Sequence, residues 1–229
     1  MIISGKRQEL EQRAASLLAQ SINEHLVRQP QVTLGVVGGR SVGAVLKLLG
    51  SQKVDWQCVH LFMVDERLVE PDHPDSNYRL VFSVVSPYIP STNLHPFRHQ
   101  PGNELAAIER YRQELEGCGG QLDVLLLSSG EDGHIASLFP RHETIDSQAD
   151  YFLITASSPK PPPQRMSASL RLIAGASHAV LLFFGSSKQQ AFERFLDDGV
   201  PVRECPAAVV RTIDNHFILK DSDGGSHEP

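Results

Sequence analysis

The sequence predicts one α/β domain: a mostly parallel β-sheet with helices on both faces, in the three-layer manner of Rossmann-like folds. Three observations carry that reading. Short, nearly continuous apolar runs, such as residues 122–127 and 179–184, have the composition of strands buried on both faces. Segments with apolar residues at helical spacing alternate with them along the chain. Glycine-rich or charged segments follow several of the strands, where ligands of open α/β sheets bind. The 229 residues are 41% hydrophobic, enough for a sizeable core, and neither a linker nor an internal repeat divides them. Residues 1–220 are therefore expected to form the domain, with 221–229 as a flexible tail.

The elements follow in order. Residues 7–29 place Leu10, Ala14, Leu17, Leu18, Ile22 and Leu26 on one helical face, and Pro30 stops that helix. Residues 32–37 are a short apolar strand, and a glycine turn leads into a helix over 42–49. A second strand, 59–64, runs into a charged loop over 65–75, after which Ser76 caps a helix carrying Tyr78, Leu80, Val81 and Val84. Beyond a proline-rich loop, 103–116 reads as helix and 122–127 as strand. Strands over 151–156 and 179–184, a helix over 188–196 and a last strand at 217–219 complete the domain.

Composition narrows the function. A net charge of −6 argues against a general nucleic-acid binder, although a few local cations can still dominate a cleft that takes a small anion. No apolar run is long enough to span a bilayer and the first residues lack a secretory leader, so the expected location is cytoplasmic. Cys58, Cys118 and Cys205 are odd in number and have no C-x-x-C spacing, which predicts neither a disulfide framework nor a structural zinc. No histidine or cysteine set has metal-ligand spacing, and no cofactor motif is present. His25, His60, His95, His99, His178 and His216 read as structural.

Five segments carry unusual chemistry. In Val37-Gly38-Gly39-Arg40-Ser41 the glycines admit a ligand to the backbone, the following helix offers N–H groups to an anion, and Ser41 adds a hydroxyl. The letters Gly39-x-Ser41-x-Gly43 also fit a nucleophile elbow, but one preceding strand is too little sheet for that reading. Asp65-Glu66-Arg67, followed by Asp75-Ser76-Asn77-Tyr78, reads in two ways. It is either an acidic pair arranged for sugar hydroxyls or a proton transfer, with Arg67 holding a phosphate, or a solvated cluster before a capped helix. Asp132-Gly133-His134 stands in a loop leaving a buried strand, and a histidine beside a carboxylate suits water activation. In Lys160-Pro161-Pro162-Pro163-Gln164-Arg165 the prolines stiffen the support of two cations, for one ligand or simply as a rigid surface loop. Phe184-Gly185-Ser186-Ser187-Lys188 reads as a helix start.

In this order the segments resemble the 6-phosphogluconolactonase family, within the wider group that includes glucosamine-6-phosphate isomerases and deaminases. The resemblance runs from the Gly38-Gly39 turn to the last strand. It rests on Asp65-Glu66-Arg67, Asp75-Ser76-Asn77-Tyr78, Asp132-Gly133-His134 with Ser137-Leu138-Phe139-Pro140, and Lys160-Pro161-Pro162 with Arg165. Two departures stand out: Ser128 and Ser129 precede Gly130 where the family has Gly-x-Gly, and Val42 replaces a proline. The resemblance implies hydrolysis of 6-phospho-D-glucono-1,5-lactone to 6-phosphogluconate in the oxidative pentose phosphate pathway, without metal or organic cofactor. It implies His134 as the base that deprotonates water, with Asp132 orienting it. Gly38, Gly39, Arg40, Ser41, Asp65, Arg67, Lys160 and Arg165 would surround sugar and phosphate. The alternatives are a glucosamine-6-phosphate deaminase, which resembles Asp-Glu-Tyr where this chain has Asp65-Glu66-Arg67, and a non-catalytic sugar-phosphate-binding protein. The expected partner is the phosphosugar lactone alone, without nucleic acid or membrane, and the expected state is a monomer.

Overall fold

A computed structural model describes residues 1–222. In chain order it contains β1 (Ile2–Gly5), α1 (Arg7–Leu26), β2 (Val32–Val36), α2 (Arg40–Leu49), β3 (Val59–Met63), β4 (Asp65–Arg67), α3 (Asn77–Val85) and β5 (Leu94–His95). There follow α4 (Glu104–Gly117), β6 (Val124–Ser128), β7 (Phe152–Thr155), β8 (Arg165–Ala168), α5 (Leu170–Ala174), β9 (His178–Phe183), α6 (Gln189–Leu196) and β10 (Asn215–Asp221).

Seven of these strands pair side by side in the order β1-β10-β9-β6-β2-β3-β5, every pair parallel. Successive residues of a strand point to opposite faces. All five residues of β2, and five of the six in β9, are buried, so both faces of the sheet are covered. This is the α/β arrangement that the continuous apolar runs predict. On α1 the buried residues Leu10, Ala14, Leu17, Leu18 and Ile22 recur at helical spacing, and the helix ends at Leu26, before Pro30. Among the described residues no helix is long and apolar enough to cross a membrane.

Three features differ from expectation. The strand expected over 151–156 forms as β7 but stays out of the main sheet; it joins a second, antiparallel sheet in the order β4-β8-β7. Of these, β4 lies in the expected charged loop, and β8 begins at the second cation of the proline segment. Three- and four-residue strands containing Arg and Ser show no apolar alternation by which to find them. At the other edge, β1 pairs with β10, Ile2 opposite Ile218. That pairing carries β10 to Asp221, which is buried, and the Ser222 N–H donates to Gly5 O at 2.9 Å. Residue 221, expected in the tail, is thus part of the sheet, and residues 223–229 of that expected tail lie outside the described ones.

Because the strands are parallel, the turns after β2, β3, β6 and β9 leave one edge of the sheet together. The small sheet is fixed to that edge. Val64 N–H donates to Val36 O at 2.8 Å, and Ala168 N–H donates to Val64 O at 2.7 Å.

Candidate active site

After β2 the chain turns through Gly38 and Gly39 into α2. Gly39 has φ 117° and ψ 155°, a conformation almost confined to glycine, and it caps the helix with no side-chain hydrogen bond. A Cβ on Gly38 would lie 2.0 Å from Asn77 Oδ1, so the glycine is required by a close approach to the start of α3. Arg40 is exposed at the first helical position. Ser41 Oγ accepts from Arg7 Nη2 at 2.9 Å, and the same guanidinium stacks 4.7 Å from the Phe184 ring centroid. Arg7 is thus a cation at this edge that no sequence motif singles out.

The three residues of β4 have different fates. Asp65 is buried, accepts from Ser137 Oγ at 2.9 Å, and lies 3.9 Å from Arg165 Nη1. Burial raises its carboxyl above the usual range, opposed by Ser137, Arg165, Arg67 and His134. Glu66, 1% exposed, turns instead to the start of α3. It accepts from Arg67 N, Asn77 N, Tyr78 N and Ser76 Oγ, at 2.7–2.9 Å. That is a structural role, and Glu66 is buried in it rather than part of a solvated cluster. Arg67 stands directly across the strand pair from Arg165. Like charges so placed repel unless an anion lies between them. Arg67 Nη1 donates to Asp75 O at 2.7 Å, while its buried Nε has no hydrogen-bond partner among the described residues.

The loop after β6 builds the histidine. Gly133 N–H donates to Gly130 O at 3.1 Å and Gly130 N–H to His134 O at 2.8 Å, folding the loop back on itself. A Cβ on Gly130 would fall 2.0 Å from the His134 ring, and Gly133 holds a φ of 87°, so both glycines are needed for this loop. Ser128 completes β6, and Ser129 N–H donates to Leu182 O at 3.0 Å; the departure from Gly-x-Gly is accommodated as strand and strand end. His134 Nδ1 lies 2.5 Å from Asp132 Oδ1, which also accepts the His134 backbone N–H at 3.1 Å. Burial works to raise the Asp132 carboxyl. The hydrogen bonds and charge of His134, with help from Lys160, outweigh it and hold the carboxyl well below the carboxylate range. An ionised Asp132 fixes the proton on Nδ1 and leaves the Nε2 lone pair free; among the described residues Nε2 has no hydrogen-bond partner. The ring packs 4.6 Å from Phe139, centroid to centroid.

The proline segment presents its two cations differently. Arg165 is 6% exposed, and its guanidinium holds the segment together through the carbonyls of Lys160, Pro161 and Pro162 at 3.0–3.3 Å. Burial lowers its pKa against the pull of Asp65, and the charge of Arg67 lowers it further. Lys160 is more open and reaches Glu131 Oε1 at 3.3 Å. Lys188, at the helix start after β9, also belongs to this edge. Burial lowers its pKa, the charge of Lys160 adds to the effect, and Glu131 and Asp132 oppose it. A signal for Lys188 was legible: Gly185, with φ 103° and ψ 148°, repeats the Gly39 turn after another strand.

The family model described as glucosamine-6-phosphate isomerases/6-phosphogluconolactonase matches residues 5–219. A 6-phosphogluconolactonase from Borreliella burgdorferi is 33% identical over 203 residues, covering 86% of each chain. The crystal structure of 6-phosphogluconolactonase from Thermotoga maritima superposes with a TM-score of 0.82 at 25% identity, over 96% of this chain and 98% of that one. That of a 6-phosphogluconolactonase from Shewanella baltica reaches 0.85 at 24% identity, over 97% of both chains, a likeness of fold. With a match that spans every segment of the site, the chain belongs to the glucosamine-6-phosphate isomerase/6-phosphogluconolactonase family.

Proposed function

We propose that this protein hydrolyses 6-phospho-D-glucono-1,5-lactone to 6-phospho-D-gluconate, the lactonase step of the oxidative pentose phosphate pathway, with His134 as general base. The observation that carries the reading is the Asp132–His134 couple, 2.5 Å long, with Nε2 free at an edge rich in cations. In this reading Nε2 takes a proton from water as the water oxygen attacks the lactone carbonyl. The ring oxygen then leaves as the C5 hydroxyl, taking that proton back from the imidazolium. Asp132 positions the ring through its hydrogen bond to Nδ1. Arg67, Arg165, Lys160 and Lys188 supply positive charge for the phosphate and the developing oxyanion, and Asp65 holds Arg165 in place. The α2 start, with Gly38, Gly39, Arg40 and Ser41, gives the phosphate backbone donors. The names of the relatives in both comparisons support the same substrate.

A coupled assay, read above the spontaneous rate, tests this. Wild type should open the phosphorylated lactone, discriminate against glucono-1,5-lactone, and leave glucosamine 6-phosphate untouched. His134→Ala should lower kcat by about 10²–10⁴-fold while staying folded. Near wild-type turnover in that variant would end the general-base assignment, and consumption of glucosamine 6-phosphate would transfer the chain to the deaminase branch.

A further inference from the structure

We propose that His60, His95 and Cys118 form a binding site for a divalent cation of the zinc class, separate from the catalytic loops. His60 is the second residue of β3, His95 ends β5 beside it, and Cys118 follows the last turn of α4. His60 Nδ1 lies 3.1 Å from His95 Nε2 and 3.4 Å from Cys118 Sγ, and the three ligand atoms all fall within 4.8 Å of one another. Tetrahedral zinc, with Zn–N about 2.0–2.1 Å and Zn–S about 2.3 Å, separates its ligands by roughly 3.3 Å for N···N and 3.6 Å for N···S. Two edges of the site are therefore within a few tenths of an ångström of those of a coordinated ion.

Hydrogen bonding within the cluster points the same way. His95 Nδ1 lies 3.0 Å from Glu114 Oε2, so this nitrogen carries the proton and the Nε2 lone pair faces His60. One proton on His60 Nδ1 would have to serve both that lone pair and the sulfur of Cys118. A cation accepts all three pairs at once. The Glu114–His95 contact is also the outer-shell carboxylate that metal-bound histidines carry, fixing tautomer and ring. The ring of His95 is further held flat on Phe62, 4.1 Å away and 3° from parallel. Cys118 is half-buried and the His95 side chain 13% exposed, so an ion and a water as fourth ligand can enter. A thiolate with two imidazoles selects a borderline-soft ion over magnesium or calcium. Binding displaces the Cys118 thiol proton to solvent as the metal–sulfur bond forms. The spacing argument against zinc fails here because the fold joins residues 35 and 58 apart in sequence.

The test titrates the whole reduced chain with Zn2+ by calorimetry and with Co2+ by absorption. The expected result is one ion per chain with a Kd of about 1 μM or tighter, and a thiolate charge-transfer band with tetrahedral cobalt bands. Cys118→Ser should abolish the charge-transfer band and His60→Gln should weaken binding. Glu114→Gln should weaken it by roughly 10–100-fold. His134→Ala should bind as wild type does, so the site stands or falls independently of the lactonase reading. A wild-type chain that binds no zinc, a cobalt complex without the thiolate band, or a Cys118→Ser chain binding with unchanged affinity would each overturn the proposal.

Discussion

Two helices begin side by side at the edge of the sheet that carries the candidate site, and they treat their free backbone N–H groups in opposite ways. The start of α3 is plugged from within. Glu66 accepts from the first two helical N–H groups, and Ser76 Oγ accepts the Arg79 N–H at 3.1 Å. The start of α2 carries no side-chain cap, only Gly39 in a conformation that other residues resist. The two meet where Gly38 lies against Asn77, whose Nδ2 donates to Asp65 O at 3.1 Å. On the proposed function, the start left open is the one that takes an external anion. Glu66 is then part of the scaffold, and the ligand phosphate is its proposed counterpart at α2.

The largest effect should come from breaking the plugged side. Glu66→Ala leaves several buried donors without a partner, each costing roughly 1–3 kcal/mol, for a loss of about 3–5 kcal/mol in denaturant unfolding. Filling the cavity does not repair this, so Glu66→Gln should recover less than half. If either variant unfolds at wild-type denaturant concentration, Glu66 is not the internal anion of α3.

The next effect tests the junction. Gly38→Ala pushes a methyl group into Asn77 and, through it, disturbs Asp65 and the Arg67–Arg165 pair. We expect kcat/KM to fall by about 10–100-fold, with protection by inorganic phosphate against thermal unfolding lost in parallel. Gly39→Ala meets no neighbour within 4 Å yet must hold a conformation costing about 1–3 kcal/mol, so it should lose stability as well as affinity. Phosphate protection equal to wild type in Gly38→Ala would place the anion elsewhere.

The same contrast marks how far the sequence could be read. Strands buried on both faces are legible because every residue is apolar, as in the four buried residues of β6, and Ser76 declares its cap by chemistry alone. His134 with Asp132 is legible because two residues of separation bring ring and carboxylate together locally. What escaped depends on distance in the chain. Glu66 looks like half of an acidic pair until Asn77 and Tyr78 fold back onto it, and Arg165 looks like a surface cation until β8 buries it against Asp65. Arg7 reaches Ser41 across 34 residues, with no local pattern to announce it.

Ser41 provides the smallest expected change and the sharpest division between binding and chemistry. Its hydroxyl stands at the open helix start and already accepts a hydrogen bond from Arg7 at 2.9 Å, so it is held in place without a base beside it. A serine nucleophile needs a partner that takes its proton; an arginine only donates. Ser41→Ala therefore removes one hydroxyl contact at the proposed phosphate position and frees the Arg7 guanidinium, which still carries its charge. A hydrogen bond to a charged group contributes about 1.5–3 kcal/mol in full, and substitution by water or Arg7 should return much of it. The outcome to expect is a KM raised roughly three- to tenfold with kcat almost unchanged, and no labelling of Ser41 by a fluorophosphonate probe in wild type. A collapse of kcat in Ser41→Ala, with stoichiometric labelling of wild type, would replace the open-helix reading with a covalent serine mechanism.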